Sequence, residues 1–196
     1  DRDELRHSRS RLRIDRAATL PRREVLSVAL MSSDNRAASA LGRSTFAGGK
    51  PSFVAAMNRK AAELGMVESL FADPTGLDGN NRSTAEDLVR LVEAASGYDF
   101  IHEVTTRTAM EVQPYGDGGT LHYRNTNPLV SSPDWKLELS KTGFVNEAGH
   151  CLVMRAVIAG RRLSIVLLDS PGKRSPMGDS IRLRKWLETK VAGQPG

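Results

Sequence analysis

The chain has 196 residues, 39% of them hydrophobic and 26% charged, which suffices for one domain with a sizeable core and excludes a disordered polymer. No apolar run approaches the length of a bilayer span, and a single cysteine excludes an internal disulfide framework. The net charge of +5 fits a protein that works on an anionic polymer or surface, and fits an arginine-rich proteome equally well.

The opening residues, Asp1 to Leu5, are neither an initiator methionine nor a signal peptide, so a processed chain or a fragment is expected. Ser10 to Ile14 alternate as a short strand does. Pro21 then stands where a first helical residue belongs, and Val25, Leu26, Ala29 and Leu30 make an apolar stripe. The stripe stops at Ser32-Ser33-Asp34-Asn35, which favours a cap over a helix interior, and a second short helix follows over about Arg36 to Leu41. The cluster is placed at a helix–helix junction, either facing a cleft or serving only as a cap. Gly48-Gly49-Lys50 is read as a loop, and Pro51 excludes a phosphate-binding P-loop. Phe53, Met57, Ala61 and Leu64 mark an amphipathic helix. Turn chemistry fills Asp73 to Asn81, and Ser83-Thr-Ala-Glu86 reads as a capping box for a helix with Leu88, Leu91 and Val92 on its core side. A less regular stretch leads to a hairpin turn at Gly116 to Gly119, and then to Leu121 to Leu129.

Lys136 to Ile158 reads as two strands joined by a turn. Alternation places Leu137 and Leu139 on one face, and period two carries Lys141 to the same side. A lone buried ammonium is costly, so Lys141 is expected to reach a cleft with polar company. Gly143 leaves the backbone beside it open to close approach. Cys151 to Ile158 read as a strand buried on both faces, with Cys151 as a small core residue. Arg162 to Asp169 form a third strand with Leu163, Ile165 and Leu167 on one side. Leu183, Trp186, Leu187 and Val191 give a final amphipathic helix. Helices, an antiparallel meander and a covering helix make an α+β layout.

The four histidines have no spacing that suggests zinc, so no metal and no cofactor are expected. His150 and Cys151 point to opposite faces of a strand and cannot form a dyad. There is no G-x-S-x-G elbow, and aromatic residues, 5% of the chain, do not interleave with a basic stripe, so no nucleic-acid partner is expected.

Taken together, Ser33-Asp34-Asn35 and Lys141-Thr142-Gly143 resemble two of the three signature elements of penicillin-recognising serine enzymes, S-x-x-K with S-D-N and K-T-G. The strings A-L-M-S-S-D-N-R-A-A, D-P-T-G-L, S-T-A-E-D-L, R-N-T-N and K-T-G-F-V-N-E-A-G-H-C-L-V-M-R are similar to those of the S11 D-alanyl-D-alanine peptidases, of the endopeptidase type, from about Ser10 to Val191. The resemblance implies a β-lactamase/transpeptidase-like fold. A helical subdomain is expected over about 19–97, and a sheet with its C-terminal helix over about 120–191. Residues 1–191 would then be the C-terminal part of one peptidase domain, with 192–196 a tail. It implies hydrolysis of D-alanyl bonds in peptidoglycan through an acyl-serine, outside the cytoplasmic membrane, in the periplasm or an equivalent exported location. Peptide stems are the implied substrates and β-lactams the implied inhibitors. Ser33 would relay a proton, Asn35 would bind a substrate carbonyl, and Lys141 and Thr142 would hold a carboxylate. The edge beyond Gly143 would pair with the substrate backbone, and the Phe144 N–H would serve an oxyanion hole. The only S-x-x-K string, Ser170 to Lys173, falls after both other motifs and is read as a loop coincidence. The nucleophile helix, the first strands and the export signal are therefore expected to be missing from this sequence. A non-catalytic peptidoglycan-binding module is the alternative.

Overall fold

A polar four-residue bend sets the layout of the helices. In the computed structural model, which describes residues 18–192, α1 (Arg22–Ser32) and α2 (Asn35–Ser44) meet at Ser33 and Asp34. Then come α3 (Gly49–Glu63), α4 (Ala85–Ala95), α5 (Asp99–Thr106), β1 (Ala109–Val112), β2 (Leu121–Arg124) and a 3-10 turn (Pro128–Ser131). The chain closes with β3 (Lys136–Val145), β4 (Gly149–Ile158), β5 (Arg161–Ser170) and α6 (Ser175–Ala192). β1 and β2 pair as an antiparallel hairpin, and β3-β4-β5 form a separate antiparallel sheet in that order. The strand expected at Ser10 to Ile14 lies outside the described residues.

Two apolar cores flank the structure. Leu137, Leu152, Met154, Ala156, Ile158 and Ile165 of the sheet pack with Leu129 and with Met177, Leu183 and Leu187 of α6. Val28, Met31, Ala37, Val104, Val112 and Tyr123 join α1, α2, α5 and the small hairpin. The far face of the sheet meets α4 through polar groups. There the Arg155 guanidinium bonds Glu93, Ser96 and Glu138, and Ser164 bonds Glu93.

Several local expectations change. Pro21 caps α1 rather than opening it. The fully covered face of that helix is Ser27, Val28 and Met31, while the expected stripe at Val25, Leu26, Ala29 and Leu30 is half-buried. Helix α3 begins at Gly49, inside the expected loop. The cap of α4 is Thr84, whose hydroxyl accepts from Asp87 N, and Ser83 instead bonds Ser69. α5 and β1 fall in the stretch read as irregular. On α6, Trp186 and Val191 are exposed, because Met177, Leu183 and Leu187 set its buried face.

The largest change concerns β3. A bulge between Leu137 and Leu139 sets Leu137 opposite Ala156 but Leu139 opposite Arg155. Residues directly across a ladder share a face, so the two leucines lie on opposite faces, contrary to simple alternation. Beyond the bulge the pairing is continuous, Ser140 with Met154 through Val145 with Gly149. Lys141 therefore keeps the side of Leu139, away from α6, while Ser140 and Thr142 share the α6 side with Met154 and Leu152. β4 is fully buried at alternate residues, Leu152, Met154, Ala156 and Ile158, rather than on both faces. Cys151 is half-buried, outside the core, with its thiol toward the Ala148 carbonyl at 3.3 Å.

Candidate active site

Ser33 has φ 55° and ψ 40°, a left-handed conformation that costs a non-glycine residue about 1 kcal/mol or more. That turn ends α1 and presents the serine hydroxyl outward from the junction. The next residue holds the bend together. Asp34 is buried, its Oδ1 accepts from Ala37 N at 3.0 Å to cap α2, and Tyr123 OH donates to its Oδ2 at 3.4 Å. Burial pushes the Asp34 carboxyl above the ordinary range, with those hydrogen bonds opposing the rise. Asn35 is the first residue of α2. The cap reading of this cluster holds at Asp34, while the Ser33 hydroxyl meets Lys141 of the sheet.

Lys141 reaches the bend from the sheet. Its Nζ donates to Ser33 Oγ and, at 2.7 Å, to the Thr142 carbonyl oxygen. Burial pushes its pKa down to about 8, and among the described residues no carboxylate pairs with it. The ammonium therefore has hydroxyl and carbonyl company but no counter-charge, which suits it to an incoming anion.

Among the described residues no strand pairs with the edge of β3 beside this ammonium. Ser140 N donates to Thr105 Oγ1 of α5 at 3.3 Å, so that amide points away from β4. Amides two and four residues on point the same way in an unbroken antiparallel ladder. The Thr142 and Phe144 N–H groups thus project from the free edge, past the point where α5 covers it. Among the described residues no backbone carbonyl accepts from them. Gly143 sits between them, opposite Cys151. The Phe144 ring is half-exposed and stacks on His150, centroids 4.2 Å apart. Thr142 Oγ1 donates to Thr126 Oγ1 at 2.6 Å.

The predicted residues Ser33, Lys141 and Thr142 thus meet in direct contacts, with Asn35 on the helix that starts at the bend and Gly143 and Phe144 along the adjoining edge. Ser170, the serine of the S-x-x-K string, ends β5, which pairs with β4 and not with β3. Two strand spacings separate it from β3, about 10 Å, on the side away from the open edge. Thr126 lies within the R-N-T-N string, which by itself assigns it no role. A lone threonine in a connecting segment carries no sequence signal, and only the fold brings it to Thr142. No group of three or more His, Cys, Asp or Glu among the described residues is arranged to hold a metal.

The titration of Lys141 gives a pH prediction with opposite signs for folding and binding. Between about 8 and the ordinary 10.5 the unfolded lysine holds a proton that the folded one has lost. Stability therefore rises with pH across that window, and the burial penalty is complete below it. Affinity for a carboxylate ligand falls as pH rises through about 8, because the ammonium becomes neutral. Melting curves and ligand titrations at pH 7 and 9.5 check both signs, and Lys141→Met removes both trends.

Comparison with known proteins gives concordant matches. A family model described as peptidase S11, D-alanyl-D-alanine carboxypeptidase, matches residues 2–172. A D-alanyl-D-alanine endopeptidase of Pseudomonas aeruginosa is 45% identical over 186 residues, 95% of this chain, and the chain spans 59% of that relative's length. The structure of the Streptomyces K15 DD-transpeptidase superposes with a TM-score of 0.81 at 26% identity, covering 90% of this chain and 71% of that one. Penicillin-binding protein D2 of Listeria monocytogenes, in its ampicillin-bound form, superposes with a TM-score of 0.71 at 29% identity, covering 85% and 66%.

Proposed function

The chain belongs to the peptidase S11 family of D-alanyl-D-alanine carboxypeptidases, and from that premise we propose that it binds D-alanyl peptides along the open edge of β3 and serves their serine-dependent hydrolysis in peptidoglycan. The observation that carries the reading is the Lys141 ammonium, without a carboxylate partner among the described residues, in contact with the Ser33 hydroxyl beside that edge.

In this reading the ligand's backbone adds to β3 as a further strand, bonded to the outward groups of Thr142 and Phe144. Gly143 lets it approach without a side chain in the way. Lys141 attracts the terminal carboxylate, which Thr142 bonds through its hydroxyl. The Phe144 N–H aims at the oxygen that becomes negative in the tetrahedral intermediate. The Asn35 amide donates to a carbonyl nearer the amino end of the ligand. Ser33, hydrogen-bonded to Lys141, passes a proton to the departing amine, with the lysine as its source. A lysine near pKa 8 can give and regain that proton close to neutral pH. The identity to an endopeptidase makes a cross-linked peptide the favoured substrate, reached outside the cytoplasmic membrane. β-Lactams, which acylate the serine of such sites, are the corresponding inhibitors. Among the described residues no helix is long and apolar enough to cross a membrane.

Within the 196 residues no S-x-x-K precedes Ser33, which favours a second reading of the chain as given, a peptidoglycan-binding module without acylation chemistry. Fluorescent penicillin separates the two. These 196 residues alone take no covalent label. Preceded by a strand-and-helix segment that carries S-x-x-K, they take it, and a D-alanyl-D-alanine peptide competes. An extended chain that stays unlabelled overturns the catalytic reading and leaves the binding module.

A further inference from the structure

Residues 125–127 are tied to three different elements, and only one of their side chains is left facing solvent. The Asn125 amide donates to the Thr105 and Arg107 carbonyls at the end of α5, both at 2.9 Å. Asn127 is completely buried, donates to Ser140 Oγ at 2.7 Å and accepts from Leu129 N at 3.0 Å. Thr126 N donates to the Met31 carbonyl of α1 at 3.3 Å, two residues before the bend at Ser33. The Thr126 side chain, exposed between these anchors, meets the Thr142 hydroxyl at 2.6 Å.

The hydroxyl pair has a simple proton inventory. Each hydroxyl has one proton and can accept two bonds. With Thr142 donating to Thr126, the Thr126 proton remains to be given away. An anion placed between them can accept from both, because each hydroxyl rotates freely. The contact between the two threonines is not needed to hold the segment, since its neighbours and its own backbone already fix it. An exposed hydroxyl–hydroxyl bond adds little to stability in water.

We propose that Thr126 is a specificity-determining residue of this cleft, a second hydroxyl that, with Thr142, holds the free carboxylate of a D-alanyl ligand. The assignment rests on the cleft reading above. It makes the site selective for ligands that end in a carboxylate, because the carboxylate offers two charged acceptor oxygens to the two hydroxyls and the amide analogue only one neutral oxygen. It also explains why a threonine is held at the mouth of the cleft by bonds on both flanks.

NMR titration of the 196-residue chain with N-acetyl-D-alanyl-D-alanine and with its C-terminal amide tests the assignment. The wild type prefers the carboxylate form. Thr126→Val weakens that form about tenfold or more, the scale of a hydrogen bond to a charged group, and leaves the amide form and the melting temperature nearly unchanged, so the preference narrows. Thr126→Ser restores it. A valine variant with the wild-type preference, or one that weakens both ligands equally, overturns the assignment while the cleft reading stands. A wild-type chain that binds neither ligand overturns the cleft reading and the assignment with it.

Discussion

Replacing Lys141 by methionine abolishes measurable binding of a D-alanyl-D-alanine peptide and does not destabilise the fold. The two effects have different origins. The ammonium is drawn toward neutrality by burial and has no carboxylate beside it among the described residues, so its charge is a cost to folding at neutral pH. Methionine of similar length removes that cost, and such replacements of buried charges are often neutral or stabilising by about 1–4 kcal/mol. Binding responds in the other direction. Deleting one member of a desolvated charge pair costs about 2–5 kcal/mol, at least about thirtyfold in Kd, and puts a weak ligand out of range. Melting curves and peptide titration of the same variant read both. A lysine that served only to hold Ser33 in place would show lower stability on replacement instead.

Asn127→Ala is expected to give the largest loss of stability among changes near the cleft. The side chain is completely buried and bonds Ser140 on β3 while capping the 3-10 turn at Leu129. Its removal leaves the Ser140 hydroxyl and the Leu129 amide without those partners in a buried setting. Each such group costs about 1–3 kcal/mol, so the melting temperature falls by roughly 5–15 °C for a chain of this size. The same bond joins the connecting segment to the strand that carries Lys141, so peptide affinity falls as well. Thermal melts with peptide titration below the transition measure both losses. An unchanged melt would mean that β3 is held by the sheet alone.

Much of this site was legible in the residues because short-range chemistry decides it. Asp34 and the serines beside it favour a cap over a helix interior, and the chain bends there. Lys141, directly before Thr142 and Gly143, had to find polar company, and Ser33 provides it. The meander over β3, β4 and β5 also follows from local alternation and turn residues. The route by which Lys141 reached its face did not follow. A bulge moves Leu137 and Leu139 to opposite sides, and nothing in Lys136 to Ser140 announces an extra residue. The final helix shows the same limit. Trp186 reads as core by its chemistry, yet Met177, Leu183 and Leu187 define the face that meets the sheet.

The elements missed outright are those that tertiary contacts create. α5 is eight residues long, starts without a side-chain cap and contains Ile101, Val104 and two threonines, Thr105 and Thr106. These are weak helix formers, and packing of Val104 into the core with Val28 and Tyr123 decides the matter. β1 is a strand because β2 is there to pair with it. Thr126 belongs to the same class, since its partner is sixteen residues away.

The central claim is that a D-alanyl peptide lies along the open edge of β3 against the bend at Ser33. Backbone amide shifts of the isotope-labelled 196-residue chain, followed while N-acetyl-D-alanyl-D-alanine is added at pH 7, test it most directly. The account predicts saturable shifts concentrated at Ser33 to Asn35 and Thr142 to Phe144, absent in Lys141→Met. Shifts confined to the opposite sheet edge along β5, or none at all, would contradict it.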